Sequence, residues 1–147
     1  MNNMYHFAYG SNLNHKQMNC RCPDNKFIKR TYLDNYKFVY DGYSKNWEGG
    51  AVANILESAD SIVWGGLYEI SKSDLANLDK REGYPDSYDR KELKVKDDHG
   101  NIYKAITYFR IGEKIGIPSN KYKKIIIDGA KDCNLPDNYL KKNLILQ

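Results

Sequence analysis

This chain of 147 residues contains few cysteines and no long apolar run. Cys20, Cys22 and Cys133 are an odd number, which argues against a secreted disulfide framework and suits reduced thiols in the cytoplasm. No histidine lies near Cys20 and Cys22 at a zinc-ligand spacing, so this Cys-x-Cys pair does not predict a metal site. The N-terminus lacks a basic segment followed by an apolar one, and no run approaches membrane-spanning length. We therefore expect a soluble cytoplasmic protein with no membrane association.

Several common functional signatures are also missing. We find no serine in a nucleophile elbow, no H-E-x-x-H or C-x-x-C motif, and no G-x-G-x-x-G after a predicted strand. The net charge is +4, but basic and acidic residues are interleaved except in short patches such as residues 121–124. A barrel that stacks single-stranded nucleic acid would need a continuous basic groove with aromatic side chains, so we expect no nucleic-acid partner. His6, His15 and His99 share no pattern and are interpreted as structural or exposed.

The overall amino-acid composition is typical of one compact domain. Hydrophobic residues make up 41% of the chain and charged residues 29%, which is enough to bury a core over residues 1–147 as a single domain. The chain also has 13 tyrosines. Because tyrosine joins an apolar ring to a hydroxyl that needs a partner, this excess favours strands and amphipathic pocket walls.

Alternating apolar and β-branched residues predict about six or seven strands. Asp34 and Asn35 suit a tight turn between two of them, and Gly65 with Gly66 permits a bulge or a close backbone approach inside another. The predicted strands cover residues 5–9, 26–33, 36–43, a stretch that begins at Ala51 after a glycine-containing loop, 61–70, and the hairpin arms 88–98 and 101–111.

Three or four short helices are predicted among these strands. One runs through residues 15–20 with Asn12 or Asn14 as its cap, and another begins with Ser71 and Asp74 at capping-box positions. Gly83 ends that second helix, so Glu82 is its last residue. A third follows Pro118 with Ser119 as the cap, and the C-terminal residues add one or two further turns. The fold class is therefore α+β, with a mixed or antiparallel sheet that can close into a small β-barrel.

The turn after the first strand is one candidate site. The stretch from Gly10 to Asn12 can present consecutive main-chain N–H groups at a helix N-terminus, where they would favour a carboxylate or an oxyanion. The same tripeptide also fits an ordinary turn from strand to helix. The residues alone leave both interpretations open.

Glu82 is the second candidate. It lies at the C-terminal end of a predicted helix, where the helix dipole disfavours negative charge and raises a carboxyl pKa. A carboxylate with a raised pKa suits a general base that acts on an amine near neutral pH. The alternative is a surface glutamate paired with Lys80 or Arg81.

Taken together, these segments resemble the γ-glutamylcyclotransferase family and its AIG2-like and BtrG-like relatives. The resemblance runs nearly end to end and is carried by YHFAYGSNL at residues 5–13, WEGGAVANIL at 47–56, VWGGLYEISKSDLANLDKREG at 63–83, and YKKIIIDGAKDCNLPDNYLKK at 122–142. The first motif is shared by branches that act on other γ-glutamyl amines. The last is more particular to enzymes that act on γ-glutamyl amino acids.

The resemblance implies a function and a set of site residues. Members of the family convert a γ-glutamyl amino acid to 5-oxoproline and the free amino acid on a small mixed β-barrel with flanking helices, without metal or organic cofactor. By motif, Glu82 matches the general acid/base of the family. The substrate-binding positions implied are Tyr9, Gly10, Ser11, Asn12, Leu13, Tyr88, Tyr108 and Tyr122.

Two alternatives accompany this assignment. The loop EGYPDSYDR at residues 82–90 resembles the branches that act on γ-glutamyl amines as much as the branch that acts on amino acids, so γ-glutamyl-ε-lysine or another γ-glutamyl amine is an alternative substrate. Glutathione is the least expected substrate, because its specific enzymes form a branch with a different N-terminal motif. A non-catalytic carboxylate-binding module on the same fold is the second alternative. Assembly as a homodimer is left open.

Overall fold

The computed structural model describes residues 4–44, 47 and 49–145. In this part of the chain five strands form a closed barrel. None of the described helices is long and apolar enough to cross a membrane. The strands are β1 (Met4–Ala8), β2 (Lys26–Asp41), β3 (Val52–Ile70), β4 (Asp89–Lys96) and β5 (Ile102–Phe109).

The barrel has the strand order β1-β3-β2-β4-β5 and closes through β1 and β5. That closing pair is parallel, with His6 opposite Ile106, whereas the other neighbouring strands are antiparallel. The sheet is therefore mixed, and closure leaves it without an exposed edge. The predicted α+β class with a small mixed barrel is confirmed.

The predicted strand count was wrong because two pairs of predicted strands are each continuous. Asp34 and Asn35 do not form a tight turn: β2 runs through them, and the register against β3 shifts between Asp34 and Tyr36. Asn35 adopts a φ of 64° in this bulge, and its side-chain oxygen accepts a hydrogen bond from the main-chain N–H of Asp60 at 3.3 Å. The two residues that predict a turn from the local sequence thus form a β-bulge inside one long hairpin.

The close backbone approach predicted at the paired glycines is present at Gly65. A Cβ atom there would lie 2.3 Å from the main-chain oxygen of Ala8 and 2.6 Å from the ring of Phe7. Glycine is therefore needed at this position for β1 to pack against β3.

Two of the described helices lie between strands, as predicted, and the other two follow the last strand. They are α1 (His15–Arg21), α2 (Lys72–Glu82), α3 (Asn120–Asp132) and α4 (Asp137–Tyr139), and α4 continues as a π-helical segment, Leu140–Ile145. Asn14, rather than Asn12, caps α1 by accepting a hydrogen bond from the N–H of Gln17 at 3.1 Å. Ser71 and Asp74 form the predicted capping box of α2, and Ser119 caps α3. Residues 45, 46 and 48 of the predicted glycine-containing loop lie outside the described residues.

Helix α3 connects the barrel to the turn that follows β1. Ile126 and Ala130 are fully buried on its inner face. Gly129 lies on the same face, where a Cβ atom would be 2.3 Å from the main-chain nitrogen of Asn14 and 2.7 Å from the Cβ of Leu13. This close contact fixes the position of the turn against the helix.

Candidate active site

One cavity of about 980 Å³ lies where several elements end. Its walls come from the turn after β1, the ends of α1, α2 and β5, and the beginnings of β3 and α3. A cavity of this size falls in the range of small-molecule sites in proteins. The predicted site residues that line it are Tyr9, Gly10, Ser11, Asn12, Glu82, Tyr88, Tyr108 and Tyr122.

Leu13 is the predicted site residue that does not line this cavity. Its side chain is fully buried in the core, and its N–H donates to the main-chain oxygen of Gly10 at 3.0 Å. Its own oxygen accepts hydrogen bonds from the Tyr68 hydroxyl and the Cys133 thiol. Leu13 therefore anchors the turn and does not offer its amide to a ligand.

The turn itself is a single 3₁₀ segment, Ser11–Leu13. The first N–H groups of such a segment have no partner within it, and no main-chain oxygen among the described residues accepts a hydrogen bond from the N–H of Ser11 or Asn12. Gly10 lies against the barrel, where a Cβ atom would be 2.9 Å from the Cβ of Ala53. The first strand ends before this turn, and the turn places Ser11 and Asn12 in the cavity wall.

Arg21, the last residue of α1, reaches back to this turn. Its Nη1 donates to Oδ1 of Asn12 at 2.9 Å, and Gln17 donates to the same oxygen at 3.3 Å. Arg21 lines the cavity and forms no ion pair with any described residue. It was not predicted from the sequence.

Glu82 is the last residue of α2, and Gly83 ends the helix with a φ of 67°. Its partly buried side chain lines the cavity, and no residue that the structure describes forms an ion pair or hydrogen bond with its carboxylate. The alternative pairing with Lys80 or Arg81 is therefore absent among the described residues. Burial raises the pKa of Glu82 from 4.5 to about 7, although the positive charges of Arg21 and Arg110 oppose this shift.

Four tyrosines line the same cavity as Glu82, and its charge raises the pKa of each hydroxyl, in addition to the larger effect of burial. All four hydroxyls are therefore protonated at neutral pH and can donate hydrogen bonds. The residues are Tyr9, Tyr88, Tyr108 and Tyr122.

Protein partners already fix each of these hydroxyls. Tyr88 donates to the main-chain oxygen of Ala53 at 2.7 Å, while Tyr122 accepts from the N–H of Ala53 at 2.9 Å. Tyr9 donates to the main-chain oxygen of Tyr108 at 2.9 Å. Tyr108 in turn donates to Asp79 at 2.7 Å. These hydrogen bonds hold the four rings in the wall of the cavity that Glu82 also lines.

Arg110 closes another side of the cavity and also was not predicted. Its guanidinium lies 2.6 Å from the fully buried carboxylate of Asp41 and 2.9 Å from Glu113. It is 5.2 Å from the ring centre of Tyr88, within cation–π range. The charge of Arg110 is thus neutralised inside the protein, unlike that of Arg21.

The other titratable groups give no sign of a metal site. Among the described residues, no group of three His, Cys, Asp or Glu side chains could hold a metal ion. All three cysteines are free thiols, as expected. His6 also lines the cavity; it is buried, its Nδ1 lies 3.0 Å from the main-chain oxygen of Ile106, and burial lowers its pKa to about 4. It is therefore neutral at pH 7.

Sequence reasoning missed Arg21 and Arg110 because nothing local distinguishes either of them. Arg21 appears in the sequence as an ordinary basic residue at a helix C-terminus, and Arg110 as a charged residue after a strand. Their roles depend on the barrel closure that brings the ends of α1, α2 and β5 together.

Comparison with known proteins identifies relatives over almost the whole chain. The model of the AIG2-like family matches residues 62–143. The chain is 35% identical to a gamma-glutamylcyclotransferase of Bos taurus and 34% identical to one of Homo sapiens, in each case over 93% of this chain and 75% of the relative. A solved structure named gamma-glutamyl cyclotransferase superposes with a TM-score of 0.92 at 31% identity and covers 99% of this chain and 89% of its own.

Proposed function

Because this chain belongs to the γ-glutamylcyclotransferase family and is an enzyme, we propose that it converts a γ-glutamyl α-amino acid to 5-oxoproline and the free amino acid. In this reaction the α-amine of the glutamyl group attacks its own γ-carbonyl carbon. A five-membered lactam forms, and the bond from that carbon to the nitrogen of the second amino acid breaks. Because the nucleophile and the carbonyl belong to one molecule, the enzyme needs mainly to fold the substrate, move a proton and stabilise charge.

Glu82 is the proposed general base and acid. The α-ammonium of the substrate is not nucleophilic until it loses a proton, which the Glu82 carboxylate accepts. The protonated carboxyl then gives this proton to the nitrogen of the departing amino acid. The carboxylate restored in this way accepts the second proton, which the attacking nitrogen loses as the lactam forms. A pKa of about 7 suits both steps, because the carboxylate and the protonated carboxyl are both well populated at neutral pH.

The N–H groups of Ser11 and Asn12 are the proposed donors for negative charge on the substrate. They are free of protein acceptors among the described residues and belong to the cavity wall. Such preorganised donors stabilise a developing oxyanion or a carboxylate without reorganisation. The hydroxyls of Tyr9, Tyr88 and Tyr122 keep the wall in place.

The observation that carries this proposal is the unpaired Glu82 carboxylate in the same cavity as these free amides. A carboxylate without a partner at a helix C-terminus costs stability, so a chemical role explains its position in the cavity better than a stabilising role does.

The test is the Glu82→Gln variant, which keeps the shape of the side chain and removes the base. We expect the formation of 5-oxoproline from γ-glutamyl-alanine to fall by roughly a hundredfold to ten-thousandfold in a folded protein. The matched control is Glu92→Gln on β4, where the glutamate is exposed and lies outside the cavity. Near-normal turnover by the Glu82 variant would reject the assigned role.

A panel of substrates tests the leaving group. We expect wild-type enzyme to prefer γ-glutamyl-alanine over γ-glutamyl-ε-lysine and over glutathione. A preference for γ-glutamyl-ε-lysine would instead assign the chain to the reaction of γ-glutamyl amines.

A further inference from the structure

The two arginines of the cavity differ in how their charge is balanced. Arg110 lies beside the buried Asp41 at 2.6 Å and Glu113 at 2.9 Å, and it also donates to the main-chain oxygen of Asp41 at 3.0 Å. Its positive charge and several of its donors are therefore occupied by the protein. A ligand carboxylate would have to compete with two carboxylates already in place.

Arg21 has no such balance. Its one hydrogen bond to a described residue is to the neutral side-chain oxygen of Asn12, at 2.9 Å, and no described carboxylate lies within ion-pair distance of it. A guanidinium has five N–H donors, so most of them remain available. A partly buried cation without an anion is costly, and it becomes favourable when a ligand supplies the anion.

We propose that Arg21 binds the α-carboxylate of the γ-glutamyl group, together with the free N–H groups of Ser11 and Asn12. The inference rests on the proposed function, because it names the part of that substrate which this side of the cavity recognises. Arg21 and the turn are already joined by the hydrogen bond to Asn12, so their donors lie on one side of the cavity.

The position of Glu82 indicates which of the two carboxylates of a γ-glutamyl amino acid Arg21 binds. The α-ammonium from which Glu82 would take a proton and the α-carboxylate are attached to the same carbon atom, so their binding groups must be neighbours. Arg21 meets this requirement, because it lines the same cavity as Glu82 and its positive charge lowers the pKa of Glu82 more than that of Arg110 does. The carboxylate of the leaving amino acid lies beyond the scissile bond, several bonds further away.

Binding measurements test this assignment without depending on turnover. In a Glu82→Gln background, we would compare Arg21→Met with Lys16→Met, which removes one positive charge from an exposed position of the same helix. The three ligands are γ-glutamyl-alanine, γ-glutamyl-methylamide, which lacks the second carboxylate, and 4-aminobutyryl-alanine, which lacks the α-carboxylate.

We expect Arg21→Met to weaken the binding of γ-glutamyl-alanine and of γ-glutamyl-methylamide equally, by roughly tenfold to a hundredfold, as for the loss of a charged hydrogen bond. Binding of 4-aminobutyryl-alanine should change little. Arg21→Lys should restore part of the affinity, since it keeps the charge and loses the planar fork. Lys16→Met should leave all three affinities unchanged.

Three results would overturn the inference. One is a loss confined to the ligands that carry the second carboxylate, and another is an equal loss for all three ligands, which would indicate a purely structural role. The third is unchanged binding of γ-glutamyl-alanine by Arg21→Met. The proposed function fails separately, if the Arg21-containing parent binds none of the γ-glutamyl ligands and wild-type enzyme forms no 5-oxoproline from them.

Discussion

The raised pKa of Glu82 predicts that replacing this residue stabilises the protein in a pH-dependent way. The pKa is about 7 in the folded chain and 4.5 for an unperturbed glutamate. The folded state therefore holds this proton more tightly than the unfolded state between these values. Its contribution to stability is complete below pH 4.5 and is lost as the pH rises through 7. Glutamine does not titrate, so Glu82→Gln escapes this loss.

The size of the effect follows from the two pKa values. Full linkage would give an upper limit of roughly 3 kcal/mol at pH 8, and because the side chain is only partly buried we expect about 1–2 kcal/mol. For a chain of this length, that corresponds to a rise in Tm of roughly 2–8 °C. The variant that loses activity should therefore be more stable than the wild type at pH 8.

Thermal unfolding of wild type, Glu82→Gln and Glu92→Gln between pH 4.5 and 8.5 measures this difference. The gap in Tm between Glu82→Gln and wild type should widen from pH 4.5 to about pH 7.5 and then remain constant. Glu92→Gln, at an exposed position outside the cavity, is the control for replacing a glutamate by glutamine. A difference in Tm between Glu82→Gln and wild type that is independent of pH, or that narrows as the pH rises, would refute the argument.

Two further predictions concern the glycines that position the turn. Gly10→Ala places a Cβ atom 2.9 Å from the Cβ of Ala53, so we expect kcat/KM to fall by roughly tenfold or more. The double variant Gly10→Ala with Ala53→Gly should recover part of this loss. No recovery would contradict the steric explanation. Gly129→Ala would bring its Cβ atom to within 2.3 Å of the main-chain nitrogen of Asn14, so we expect a loss of roughly 2 kcal/mol or more in the free energy of unfolding, measured by urea titration beside the exposed control Lys121→Ala. Equal stability of these two variants would contradict that contact.

The local signals of the sequence were reliable where one element decides its own structure. Ser71, Asp74 and Gly83 define α2 through contacts within a few residues, so the sequence placed Glu82 at the helix end correctly. The hairpin of β4 and β5 was also predicted from local alternation and turn residues. In both cases the physical cause lies within about a dozen residues of chain.

Prediction failed where distant parts of the chain decide the outcome. Asp34 and Asn35 are good turn residues, yet they lie in a bulge inside one strand, because the pairing with β3 on both sides of them outweighs local preference. The partners of the site tyrosines could not be predicted for the same reason. Tyr9 meets Tyr108 across 99 residues, and Tyr122 meets Ala53 across 69.

Arg21 and Glu82 line the same cavity but do not form an ion pair with each other. An ion pair between them would satisfy both groups, but it would lower the pKa of Glu82 and occupy the guanidinium. Instead the fold holds Arg21 on Asn12 and leaves Glu82 without a partner among the described residues. A γ-glutamyl group carries both counter-charges on one carbon atom, with the carboxylate for Arg21 and the ammonium for Glu82. On the two proposals, the substrate completes both pairs at once, and a ligand that lacks either charge leaves one buried charge uncompensated.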